Sequence, residues 1–98
     1  MRILALSHSL PGVTREQMGP HMKAEAARVW ELYQAGALRE VYFREDGKGA
    51  VILLECDSIA EAHSLITSLP LVEKKLIDFE VMGLIPYPGY AALFVEPK

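Results

Sequence analysis

The spacing of hydrophobic residues along the chain predicts four strands. Residues 2–7 are mostly apolar and end in a turn-rich segment, which predicts the first strand. Residues 38–45 and 50–56 predict two more strands, and Asp46-Gly47 between them is typical of a hairpin turn. Apolar residues at every second position of 77–82 predict the fourth.

The first helical region is predicted in two pieces. Thr14 and Gln17 have the spacing of a capping box, which predicts a short turn at 14–18. The main helix is predicted from about Pro20 to Ala35, with Gly36 as its C-terminal stop. Its predicted core stripe recurs at spacings of three and four: Met22, Ala26, Val29 and Tyr33.

The second helix completes the order of elements. It is predicted to begin at a capping box of Ser58 and Glu61 and to end at Pro70. Its predicted buried stripe is Ile59, Ala62, Leu65, Ile66 and Leu69. The β-α-β-β-α-β order predicts an α+β, ferredoxin-like fold, in which a four-stranded antiparallel sheet carries both helices on one face.

Hydrophobic content predicts an assembly. The 98 residues are expected to form a single domain, 1–98. The third strand is apolar on both faces, although the helices are expected to cover only one face of the sheet. Because 51% of the chain is hydrophobic, we expect a homodimer or higher homo-oligomer in which a second copy of the sheet covers the face that the helices leave open.

The C-terminal tail, residues 90–95, is too apolar to be left in water. Two helices are expected to cover its own subunit already. We therefore expect the tail to cross to another subunit, where it adds a short strand to a sheet edge or closes the mouth of the partner's pocket.

Charge and residue content exclude several kinds of partner and site. The net charge is −3 and no basic stripe exists, so no nucleic-acid partner is expected. Cys56, the only cysteine, excludes an intrachain disulfide and is expected to be a buried, inert thiol. No metal site is expected from His8, His21 and His63, and His63 is placed on the solvent side. Lacking a signal-peptide pattern and a membrane-spanning apolar run, the protein is expected in the cytoplasm.

Glu25 is the candidate acid–base residue, because it borders the predicted stripe and a carboxylate beside an apolar wall has a raised pKa. The alternative is a solvated glutamate paired with Arg28. His21, in the first helical turn, is a candidate proton carrier at the cavity mouth or else a surface histidine. Trp30 is expected to be a packing residue.

Tyr42 and Arg44 are candidate ligand-binding residues. They are placed on one face of the second strand with Leu38 and Glu40, and Tyr33 approaches from the helix. A phenol and a guanidinium around one cavity suit an anionic, partly apolar organic ligand. The alternatives are an interface aromatic for Tyr42 and a surface charge for Arg44.

Two stretches resemble the muconolactone isomerase family: Met22 through Gly36, and Ser68 through Pro88 with its Leu69-Pro70-Leu71 motif. The resemblance implies a dimeric α+β barrel, often in larger rings, and an enzyme that moves a double bond within an unsaturated lactone acid without any cofactor. It also implies that Glu25 shuttles the proton and that Tyr42 stands where the family has a large aromatic residue.

The chain departs from the family pattern at three positions. The family's His and Arg of the first strand correspond to Ile3 and Ala5, and an aromatic residue after the helix corresponds to Leu38. The missing cation matters because the family's substrate is a carboxylate. The remaining candidates for holding a carboxylate are Arg44 and Arg28.

The expected function is a cofactor-free proton-transfer isomerase acting on a small unsaturated lactone or cyclic organic acid in aromatic catabolism. Two alternatives stay open. One is a non-catalytic small-ligand-binding or structural barrel protein. The other is a cofactor-free monooxygenase-type enzyme of the same superfamily, which would require a larger and more aromatic pocket.

Overall fold

The structure, a computed structural model, describes residues 1–96. Four strands form one antiparallel sheet in the order β2-β3-β1-β4: β1 (Arg2–Ser9), β2 (Leu38–Phe43), β3 (Ala50–Glu55) and β4 (Ile77–Leu84). The helices are α1 (Arg15–Met18), α2 (Met22–Gln34), α3 (Ile59–Thr67) and α4 (Pro70–Glu73). The predicted ferredoxin-like α+β fold is confirmed.

The core lies between the helices and one face of the sheet. Buried residues alternate along β1 and β3, which is the period of two expected when one face is covered. The helices and the segment between α3 and α4 contribute the other side of the core: Leu32, Ala62, Ile66, Leu69 and Leu71. Burying each large aliphatic side chain contributes roughly 1.5–3 kcal/mol to folding.

A β-bulge in β2 changes which residues face the core. Leu38 is buried, but Glu40 pairs with Leu53 on the other face of the sheet, so one extra residue lies between the two pairs. Beyond the bulge Val41 faces the helices and Tyr42 faces away from them. The prediction that Leu38 shares a face with Tyr42 is therefore wrong.

Hydrogen bonds at the helix starts confirm one capping box and correct the other. Gln17 N donates to Thr14 Oγ1 over 3.4 Å, and Thr14 N donates to Gln17 Oε1 over 2.7 Å. At α3, Glu61 N donates to Ser58 Oγ (3.1 Å), but the Glu61 carboxylate accepts a bond from Asp57 N (2.8 Å) and not from Ser58. The second box is therefore only half formed.

Several boundaries of the helices and strands differ from prediction. The main helix begins at Met22, after a 3₁₀ turn at Gly19–His21. The helix α3 ends at Thr67, and Pro70 opens the short helix α4, where a missing backbone donor costs nothing. The strand β2 ends at Phe43, two residues earlier than predicted, because the hairpin turn begins at Arg44, whose carbonyl accepts a bond from Gly47 N (3.0 Å).

The face of the sheet away from the helices, called the free face below, carries five half-buried apolar residues: Leu4, Leu6, Val51, Leu53 and Met82. Beyond β4 the chain forms a 3₁₀ segment, Pro88–Phe94. Its large side chains are exposed, Phe94 by 84%, and the molecule measures 62 × 29 × 21 Å. None of the helices in residues 1–96 has the length and apolarity to cross a membrane.

Candidate functional site

A cleft of about 1140 Å³ lies between α1 and α2 on one side and one end of the sheet on the other. The end of β1, the start of β4 and the β2–β3 hairpin contribute the sheet side. Apolar side chains dominate the lining, and three exposed cations line it as well: Arg15, Arg44 and Lys48.

The predicted core stripe of α2 lines this cleft, and of its four residues only Val29 packs against the core. Met22 is 41% exposed and Tyr33 is 53% exposed. The buried residues of α2 are Glu25 and Leu32, so the helix contacts the core with a neighbouring face. The prediction that the stripe is core is therefore wrong for Met22, Ala26 and Tyr33, which are exposed, and is confirmed in part by Val29, which is half-buried against the core. All four residues do share one side of the helix.

Glu25 is a buried carboxylate at the cleft, with 9% of its surface exposed. Its Oε1 accepts a hydrogen bond from the backbone N–H of Leu71 over 2.9 Å. Burial raises the pKa of Glu25 above its usual 4.5, and the bond from Leu71 opposes part of that rise. Such a carboxyl group can hold or release a proton closer to neutral pH than an exposed glutamate.

Arg28 does not pair with Glu25, so the solvated ion pair considered as the alternative is not formed. Its Nη1 donates to Glu31 Oε2 over 2.9 Å, and its Nε donates to Ser68 Oγ over 3.0 Å. Neither contact belongs to the cleft lining.

The structure brings together only some of the predicted site residues. Tyr33 and Arg44 line the cleft with Glu25, and Arg44 also pairs with Asp46 in the hairpin turn. His21 and Tyr42 do not line it. Tyr42 lies on the free face, where its hydroxyl donates to Glu40 Oε1 over 2.6 Å and this contact raises the phenol's pKa.

Trp30 is not the predicted packing residue, because 57% of its surface is exposed. It lines the cleft and stacks on Tyr33, with ring centroids 5.5 Å apart and an interplanar angle of 19°. The pair offers a flat aromatic surface to a ring-shaped ligand.

Several polar groups at the cleft were missed by sequence reasoning, among them Arg15, Lys48, the side chain of Ser7 and the backbone N–H of Leu71. Ser7 lines the cleft, is buried, and accepts a hydrogen bond from Ala50 N over 2.7 Å. Its signal was present, because the period of two that buries Ile3 and Ala5 also turns Ser7 toward the helices. The Leu71 N–H has no comparable signal, because every residue type except proline carries a backbone donor.

Metal-ligating side chains do not gather in the described part of the chain: residues 1–96 contain no group of three or more His, Cys, Asp or Glu placed to hold an ion. Cys56 is 7% exposed, as predicted, and burial raises the pKa of its thiol. His63 is exposed, also as predicted.

No family model and no curated protein sequence matches the chain. Among solved structures, it superposes on muconolactone isomerase with a TM-score of 0.73 and 20% sequence identity, over 90% of this chain and 92% of that one. The chain has the muconolactone isomerase fold.

A second solved structure shares the muconolactone isomerase fold with this chain. It is 5-chloro-2-hydroxyhydroquinone dehydrochlorinase (TftG) from Burkholderia phenoliruptrix AC1100, in complex with 2,5-dihydroxybenzoquinone. The TM-score is 0.71 with 18% identity, over 87% of this chain and 94% of that one. The predicted resemblance to muconolactone isomerase-like proteins is thereby confirmed for the fold, which by itself does not determine a reaction.

Proposed function

We propose that the protein is a cofactor-free enzyme that moves a proton within a small unsaturated lactone or cyclic organic acid in aromatic catabolism. The observation that supports this most is the position of Glu25. A single carboxylate, shielded from water and with a raised pKa, borders an apolar cleft large enough for a ring-shaped ligand.

The reaction needs only a group that takes a proton and returns it. The Glu25 carboxylate would remove a proton from a carbon next to the ligand's carbonyl group, and the C–H electron pair would form an enolate. The same carboxyl group would then return the proton at the other end of the conjugated system, so the double bond moves and nothing is oxidised.

Other cleft residues are suited to hold the ligand. Arg44, Arg15 and Lys48 line the cleft, and any of these cations can bind a carboxylate. The hydroxyl of Tyr33 is the phenol available to the enolate within one subunit, because Tyr42 lies on the free face. Arg28, predicted to hold a carboxylate, uses its guanidinium on Ser68 and Glu31 instead.

The two solved structures of the same fold support the substrate class. One is named for muconolactone and the other for a chlorinated hydroxyhydroquinone, with a dihydroxybenzoquinone bound. All three are small oxygenated rings, and the stacked pair of Trp30 and Tyr33 would accept such a ring.

Non-catalytic binding of a small ligand is the second candidate. It is favoured by the absence of Tyr42 from the cleft, because the predicted pairing of Glu25 with that phenol does not form within one subunit. Binding would then depend on the apolar wall and the three cations, while Glu25 would remain a structural partner of Leu71.

The test is turnover of muconolactone by the wild-type protein and by Glu25→Gln, followed by ultraviolet absorbance. The amide is nearly isosteric but cannot ionise, so we expect a loss on the order of 10²-fold or more with the fold retained by circular dichroism. Glu31→Gln, the same change at an exposed position of the same helix, is the matched control and should keep activity.

Normal turnover by Glu25→Gln would refute the catalytic assignment. Binding of muconolactone or 2,5-dihydroxybenzoquinone without turnover would favour the second candidate. Quenching of Trp30 fluorescence reports that binding, because Trp30 is the only tryptophan and lines the cleft.

A further inference from the structure

Two side chains on successive turns of α2 hold the segment that follows α3 and forms the start of α4. This segment, Ser68-Leu69-Pro70-Leu71, is called the connector below. Glu25 Oε1 accepts a bond from Leu71 N over 2.9 Å, and Arg28 Nε donates to Ser68 Oγ over 3.0 Å. The two contacts lie on either side of Pro70, so α2 forms a hydrogen bond to each end of the connector.

The side chains of Leu69 and Leu71 anchor the connector in the core, and Glu25 and Arg28 supply its hydrogen bonds to α2. Leu69 has an extended backbone, with φ −73° and ψ 130°, and α4 is a helix of four residues. A helix of one turn is not stable by itself in water. Pro70 has no N–H, so the amide of Leu71 is the first backbone donor of that turn.

The contact with Leu71 sets the orientation of the Glu25 carboxylate. It is the hydrogen bond that the structure shows for Glu25 within residues 1–96, and it engages one of the two carboxylate oxygens. The other oxygen is left for a ligand in the cleft that Glu25 lines. A displaced connector would release the carboxylate to other rotamers.

We propose that Arg28 and Ser68 are positioning residues, which hold the connector so that the Leu71 amide stays bonded to the Glu25 carboxylate. The contact of Arg28 with Ser68 fixes one side of Pro70 and thereby fixes the amide on its other side. The value of this arrangement for catalysis rests on the proposed function, whereas the coupling between the two contacts does not.

The experiment measures the Leu71 amide directly. In ¹⁵N-labelled protein, hydrogen exchange of this amide and the pH dependence of its proton shift report the bond to Glu25. Ser68→Ala and Arg28→Gln each remove the contact on the far side of Pro70. We expect exchange at Leu71 to become at least about tenfold faster in both, equivalent to about 1.4 kcal/mol, and its titration shift to shrink.

Glu31→Gln is the matched control, because it removes the other partner of Arg28 and leaves Ser68 in place. It should leave Leu71 exchange within about twofold of wild type. Ser68→Ala changes no charged group, and the cations of the cleft, Arg15, Arg44 and Lys48, are unchanged in all three variants, so an altered titration shift in Ser68→Ala reports the connector.

Leu71 exchange and titration that stay at wild-type values in folded Ser68→Ala and Arg28→Gln would overturn the proposal. So would an equal acceleration in Glu31→Gln, which would show a general loosening of α2. No substrate is needed, so failure of the proposed isomerase function, seen as normal turnover by Glu25→Gln, is a separate result.

Discussion

At the scale of single residues, Glu25 shows how its surroundings set the chemistry of a side chain. An exposed glutamate on this helix would be ionised at neutral pH and chemically ordinary. Burial disfavours the charged form of Glu25 and raises its pKa. The hydrogen bond from the Leu71 N–H stabilises the charged form and offsets part of that rise. The result is a carboxyl group that keeps its proton to higher pH than an exposed glutamate does.

The raised pKa makes the stability of the protein depend on pH with a definite sign. The native state holds the Glu25 proton to higher pH than the unfolded chain, whose glutamate pKa is near 4.5. The stability that protonated Glu25 contributes is therefore fully present below the pKa of the unfolded chain, and it is lost as pH rises through the native pKa. We expect the free energy of unfolding in urea to fall with rising pH in wild type relative to Glu25→Gln. The expectation would be contradicted if the free energy of unfolding of wild type rose relative to that of Glu25→Gln as pH increased.

At the scale of elements, the β2–β3 hairpin depends on a glycine where it passes β1. Gly49 has φ +149°, and a Cβ there would lie 2.1 Å from the carbonyl oxygen of Ser7. The neighbouring amide, Ala50 N, donates to Ser7 Oγ over 2.7 Å. The backbones of the hairpin and of β1 therefore approach each other closely at residues that line the cleft.

Replacing Gly49 should therefore destabilise the protein more than replacing Gly47, the other glycine of the turn. Gly47 also has a positive φ, +74°, but a Cβ there would meet nothing within 4 Å. We expect Gly47→Ala to lower the free energy of unfolding by about 1–2 kcal/mol, because of backbone strain alone. Gly49→Ala should lower it clearly more, because the backbone of β1 must also move. Urea unfolding of both variants measures this, and equal losses would show that the close approach is not important.

At the scale of the whole molecule, the free face predicts dimerisation. Five half-buried apolar residues lie on it, and sheet packing against a second copy should bury well over roughly 1,000 Å² in total. Leu53→Lys, in the middle of that face, should give a monomer in sedimentation, whereas Ala60→Lys on the exposed side of α3 should not. Wild-type protein that sediments as a monomer at micromolar concentration would disprove the prediction.

The tail predicts a second contact between subunits. Leu84 pairs with Arg2, whereas the cleft lies at the other end of β1, at Ser7 and Ser9. The eight residues of β4 span about 27 Å, so the tail leaves the sheet far from its own cleft. Its segment Pro88–Phe94 is a 3₁₀ helix with exposed apolar side chains, which favours closing a partner's cleft over adding a strand.

Deleting residues 89–98, of which 97 and 98 lie outside the described part, should weaken the oligomer or open the cleft more than it destabilises the subunit. Sedimentation measures the first effect, and acrylamide quenching of Trp30 fluorescence measures the second. Unchanged association and quenching, together with a less stable subunit, would mean that the tail packs on its own chain.

Local patterns in the sequence were sufficient to predict the four strands and the two main helices in their correct order. Strand alternation, the capping box at Thr14 and the hairpin turn at Asp46-Gly47 are local patterns, and local backbone preferences suffice to express them. The helical period likewise placed Glu25 beside the residues that line the cleft, because residues three and four apart share a helix face.

Which groups come into contact depended on how the helices pack on the sheet. The bulge moved Tyr42 to the free face, since one extra residue reverses the alternation of a strand. The helix α2 packs on its Glu25–Leu32 side, which leaves the predicted stripe facing a cleft. Arg28 bonds Ser68, forty residues away, and Glu25 bonds the amide of Leu71. Such contacts depend on register and on the spacing between layers, which packing across the whole domain sets and no local pattern encodes.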